Sequence, residues 1–103
     1  MSKSAPTEWK KTGDRVYTHD TYNVKVEVIA AGKETGEFDV RFVDQGTNLK
    51  INNPQPSEDD AHSLASRAME EFNDQYLQTL TEVESTEKSI SLAVRNVLKK
   101  YRQ

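Results

Sequence analysis

From Ser57 to Gln103 the chain contains neither proline nor glycine, and apolar residues recur at helical spacing throughout. Proline removes a helix donor and clashes with the preceding turn, and glycine raises the entropic cost of a helix. So long a stretch without either is a commitment to helical structure. Its start is marked. Asn53-Pro54-Gln55-Pro56 cannot continue a strand ladder, and Ser57 is a natural N-cap. Glu58, Asp59 and Asp60 then place negative charge in the first turn, where the helix dipole favours it. Ala61, Ala65 and Ala68, with Leu64, Met69 and Phe72 beside them, form a face small enough to lie close against a sheet.

Beyond Phe72 the residues point two ways. Met69, Tyr76, Val83, Ile90 and Val97 are seven apart, and Asn73, Leu80, Glu87, Val94 and Tyr101 are offset from them by four. A heptad seam that keeps its phase predicts one long helix, continuous or merely kinked. Against it, Thr79 to Thr86 is rich in weak helix formers, and Ser85 or Thr86 would cap a second helix. The phase tips the expectation towards one helix. Either way Ile90, Val94, Val97, Leu98 and Tyr101 make an apolar stripe, and Lys99, Lys100 and Arg102 suit a helix C-terminus.

The preceding half alternates with the period of a strand. Val24, Val26 and Val28 fall on one face of Asn23–Ala30 while Lys25 and Glu27 fall on the other. Phe38, Val40 and Phe42 repeat the pattern, Leu49 and Ile51 give a short third strand, and Arg15-Val16-Tyr17-Thr18 is a candidate fourth. Gly32 to Gly36 reads as a hairpin loop, and Gln45-Gly46-Thr47 as a turn. The expected fold class is therefore α+β. A three- to four-stranded antiparallel meander, about 15–52, packs on the start of a C-terminal helical region, about 57–102. Residues 1–14 form a flexible N-terminal arm ordered near its end, and residues 15–103 form a single domain. A small sheet needs such a helix against it. The lone Trp9 folds back onto the core edge or anchors a partner.

Charge is unevenly spread. From Glu58 to Glu87 nine acidic residues face Arg67 alone, a net of −8, whereas Lys88 to Gln103 holds five basic residues and no acidic one. The whole chain carries −3, so a bulk polyanion binder is not indicated. Without cysteine there are no disulfides or thiolate sites, and no apolar run nears the length of a membrane helix. With no leader-like segment, the expectation is a cytoplasmic protein.

Catalytic patterns are missing from the sequence. His19 lies in a turn and His62 in the first helical turns, and both read as surface residues. Asp60 and His62, two apart, do not share a helix face, no HExxH spacing occurs, and the glycines sit in turns rather than in a phosphate-cradling loop. No catalytic, metal or cofactor residue is nominated, and no cofactor is expected. With 34% hydrophobic residues the core looks thin for a monomer. The expectation is a non-enzymatic protein-interaction module, a homodimer joined through Ile90, Val94, Val97, Leu98 and Tyr101. Such a chain would suit a small accessory or regulatory protein of a bacterium or phage. The alternative is a nucleic-acid binder using the outer face of the sheet, with Arg15, Lys25, Arg41 and Lys50 on phosphates.

Overall fold

The structure, a computed structural model, describes residues 6–32, 36–51, 54–79 and 85–101. It is α+β, but larger in its sheet than the sequence indicates. Among the described residues five antiparallel strands, β1 (Trp9–Gly13), β2 (Val16–His19), β3 (Val24–Ala30), β4 (Phe38–Asp44) and β5 (Thr47–Lys50), lie in sequence order in one sheet. Helices α1 (Glu58–Thr79) and α2 (Thr86–Tyr101) follow. Both helices pack on the same side of the sheet, so the domain has two layers and one uncovered sheet face.

The extra strand is β1, within the stretch expected to be a flexible arm. Its sequence, WKKTG, shows no alternation because the inward face carries Trp9 and then Lys11, whose Nζ lies 6.0 Å from the Tyr17 ring centroid, and only Trp9 is buried. An edge strand needs only backbone pairing on one side, and Lys10 pairs with Thr18 and Lys11 with Tyr17. The β4–β5 connection is tighter than any alternation could show. Asp44 pairs with Thr47, and Gln45 and Gly46 between them have φ of 53° and 92°, the left-handed pair that a two-residue type I′ hairpin needs.

The helical region is two helices, which corrects the expectation of one. Ser57 and Ser85 each accept a hydrogen bond from the backbone three residues on, Asp60 at 3.1 Å and Lys88 at 3.2 Å, so each helix begins at a serine cap. Thr79 Oγ1 donates to the Ser89 carbonyl at 3.1 Å, and Lys100 Nζ reaches Glu71 at 2.7 Å. Contacts between residues ten and twenty-nine apart require the chain to reverse. The heptad count survives because Thr79, ending α1, and Thr86, opening α2, are themselves seven apart. Leu80 and Val83 of that seam, and Lys33 to Thr35 of the expected hairpin loop, lie outside the described residues.

The core fills the space between the layers. Val24, Val26, Val28, Val40 and Phe42 meet Ala61, Leu64, Ala65, Ala68, Met69 and Phe72 of α1, all buried. Ile90, Val94, Val97 and Leu98 of α2 join the same cluster. Each of the valine, leucine, isoleucine, methionine and phenylalanine side chains among them contributes about 1.5–3 kcal/mol relative to exposure. Among the described residues no helix is long and apolar enough to cross a membrane.

Candidate functional site

Chemistry in a domain this small would have to start from its buried polar groups. His62 is buried, not on the surface: its Nδ1 lies 2.7 Å from the Tyr17 hydroxyl and its Nε2 3.3 Å from Glu58. The assignment that satisfies both has Tyr17 donating to Nδ1 and Nε2–H donating to the carboxylate. Glu58 also accepts from Arg15 Nε at 3.0 Å. The Arg15 hydrogen bond, then that of His62, holds the Glu58 carboxyl below the usual range. This chain of four residues ties the start of α1 to β2. The Tyr17 ring is 1% exposed, and burial pushes its hydroxyl pKa up, which keeps it a donor rather than a nucleophile.

His19 is buried as well. Its Nδ1 accepts from the backbone N–H of Thr21 at 3.1 Å and of Tyr22 at 3.2 Å, so it closes the β2–β3 turn. Burial lowers its pKa, against a smaller pull upward from Glu8 and Asp20. Tyr76 donates to the Tyr22 hydroxyl at 2.7 Å, and burial with that contact pushes the Tyr76 pKa up to about 12. Asp44, at the other side, accepts from Ser91 at 2.8 Å and from Gln45 at 3.0 Å. Every one of these groups is engaged in joining two elements. Among the described residues no group of three or more metal-ligating side chains occurs.

Four of the residues expected at a partner surface lie inside the fold. Ile90, Val94, Val97 and Leu98 are at most 4% exposed and face α1 and β4 of their own chain, with half-buried Tyr101 packed beside them. Their apolar surface is used within one chain. Arg15 is not on the outer face of the sheet. Tyr17 pairs with inward-facing Val26, so the phase of β2 turns Arg15 to the helix side, where its guanidinium lies 4.9 Å from the Phe38 ring centroid. Lys25, Arg41 and Lys50 do share the outer face. Lys50 and Arg41 are cross-strand partners, and Lys50 Nζ lies 3.4 Å from Asp39.

Among the described residues, two open surfaces lie close to those expected contacts. The uncovered sheet face carries Lys10, Lys25, Arg41 and Lys50 against Glu27 and Asp39, by the pairing register. Its aliphatic residues Val16, Ile29 and Val43 are half-buried, and the strand aromatics Trp9, Tyr17, Phe38 and Phe42 all lie on the helix side. The second surface is the flank of α2 beside β5. One depression there is walled by Leu49, Arg95, Leu98 and Lys99, and a second by Leu92, Glu87, Lys88, Ser91 and Gln45, with Arg95 common to both. In the first, half-buried Leu49 lies beside buried Leu98 and the rim is cationic, with Arg95 and Lys99 exposed. Sequence periodicity could not reveal this groove, because Leu49 and Leu98 come together only when β5 and α2 pack on either side of β4.

Fold and surface thus define a class: a two-layer α+β domain whose described buried polar groups join its elements, with a mixed sheet face and a groove rimmed by Arg95 and Lys99 open to solvent. No protein-family model matches the chain, and neither a curated protein nor a solved structure matches it.

Proposed function

We propose that this protein is a non-enzymatic interaction module that associates with a second copy of itself through its C-terminal helical region. The contact is made by the flank of α2 beside β5, not by the stripe of Ile90, Val94, Val97 and Leu98. The observation that carries the reading is the groove itself: half-buried Leu49 and Leu92 along it, Arg95 and Lys99 at its rim. Apolar floors with charged rims are the anatomy of protein contacts, where the floor supplies affinity and the rim orientation. The chain's own acidic helix supplies the complementary charge: Glu70 and Asp74 of α1 are exposed. Solution mass measured over a wide concentration range tests it. Wild type should rise above 11.7 kDa as concentration increases, and the Arg95→Glu/Lys99→Glu variant should remain there. A wild type that stays at the mass of one chain, or a variant that associates equally well, overturns the reading.

The cation excess on the outer sheet face favours a second reading, nucleic-acid binding through Lys25, Arg41 and Lys50. The missing aromatics weigh against single strands, whose bases stack on exposed rings. Binding of a duplex probe would weaken with salt by a slope of about −0.9 per phosphate contact, and Lys25→Glu/Arg41→Glu would flatten it.

A further inference from the structure

Leu77 is 67% exposed, the one exposed large apolar side chain among the described residues. It lies near the end of α1, three residues after Asp74 and seven after Glu70, so the three share one helix face. Both carboxylates are exposed. The patch is an apolar knob beside two negative charges within two turns. The groove on the α2 flank is its inverse: half-buried Leu49 and Leu92 beside two positive charges, Arg95 and Lys99, one turn apart.

The two patches lie on opposite flanks of the domain. Asn73, next to Asp74, accepts from Trp9 Nε1 at 2.9 Å and donates to the Thr7 carbonyl at 2.9 Å, so the acidic face of α1 sits over the β1 edge. Gln45 donates to the Glu87 carbonyl at 3.3 Å, and Ser91 donates to Asp44, so α2 sits beside β4 and β5 at the far edge. Complementary patches on opposite flanks cannot satisfy each other twice across one two-fold axis. They join copies head to tail.

Resting on the reading of the α2 flank as the contact surface, we propose that the occupant of the groove is Leu77 of a second copy, with Glu70 and Asp74 of that copy against Arg95 and Lys99. The product is a head-to-tail chain of protomers rather than a closed dimer. The assembly keeps a free groove at one end and a free knob at the other, so growth does not stop at two.

The test uses two one-sided variants of exposed residues: Leu77→Asp removes the knob and keeps the groove, and Arg95→Glu/Lys99→Glu removes the groove's charge and keeps the knob. Wild type should exceed twice 11.7 kDa at high concentration, and its mass should fall as salt rises. Each variant alone should stay at one chain mass with the wild-type circular dichroism spectrum. The decisive arm mixes the two variants. The knob of the Arg95→Glu/Lys99→Glu protein then meets the groove of the Leu77→Asp protein, and growth should stop at two chains because no second matched pair remains. A mixture that stays at one chain mass overturns the pairing of knob with groove. A wild type that associates but stops at two chains, or a Leu77→Asp variant that associates as wild type does, overturns the head-to-tail arrangement and leaves the groove reading standing. A wild type that never leaves one chain mass overturns both.

Discussion

At the β1 flank Trp9 sits edge-on to Phe72 and to His19, with ring centroids 5.6 and 5.1 Å away, while Tyr22 and Tyr76 continue the cluster. At the β5 flank no such cluster exists among the described residues. There α2 is tied to the sheet by Ser91 and Gln45 on Asp44, and the leucines beside it are left around a groove. The chain has therefore put its large rings at the end of the sheet where the strand is weakest in sequence signal. Aromatic packing and the open groove stand at opposite edges of the sheet. An edge closed by aromatic packing has little apolar surface left to offer. An edge closed by hydroxyl and amide contacts leaves part of its apolar surface open.

The largest effect should come from the aromatic flank. Trp9→Ala removes the ring from the core and the donor to Asn73, and should cost about 3–5 kcal/mol, read as a lower urea midpoint. A loss below about 1 kcal/mol would mean that β1 is not integral to the fold. Asn73→Ala should cost less than Trp9→Ala, because the packing on Phe72 remains.

At the other flank the corresponding change is smaller. Ser91→Ala takes the 2.8 Å donor from a buried Asp44 carboxylate and should cost about 1–3 kcal/mol. Trp9 is the only tryptophan in the chain, so its fluorescence reports the β1 flank alone. In the Ser91→Ala variant, amide exchange should speed up in α2 and β5 under conditions where Trp9 emission is unchanged. Equal loosening of both flanks would erase the contrast drawn between them.

These flanks also show what sequence can carry. The serine cap at Ser57, the alternation of Val24, Val26 and Val28, and the acidic-to-basic change along the helical region are all legible, because each depends on neighbours in the chain. β1 is not, since it is recognised by its pairing to β2 and by one ring sixty-four residues from its hydrogen-bond partner. Asn73 reads as a polar break in a helix seam, yet it is the residue that holds Trp9. The inward phase of Tyr17, which moves Arg15 off the outer face, is set by register with Val26 rather than by its own strand. The groove depends on long-range packing in the same way. What the heptad count detects in α2 is a real apolar stripe, but periodicity cannot distinguish a neighbour in the same chain from one in another.

Acid should separate the flanks as well. His19 is the titrating group of the β1 cluster, and burial lowers its folded pKa from the ordinary 6.5, with Glu8 and Asp20 only partly opposing. Its Nδ1 must be unprotonated to accept from Thr21 and Tyr22. Below pH 6.5 the unfolded chain therefore binds a proton at this residue more readily than the folded one. The stabilisation is complete above 6.5 and is lost as pH falls from there towards the lower folded value. Glu58, whose folded pKa is also lowered, adds its own loss only below its ordinary value of 4.5. Urea midpoints should fall between neutral and mildly acidic pH in wild type and fall less in His19→Asn, whose side-chain carbonyl can still accept in the turn. Mild acid should shift Trp9 emission while amide protection at Ser91 and Leu92 holds. If His19→Asn keeps the full wild-type slope, the acid sensitivity does not come from the aromatic flank. An early loss of protection in α2 would instead place it on the side of Asp44.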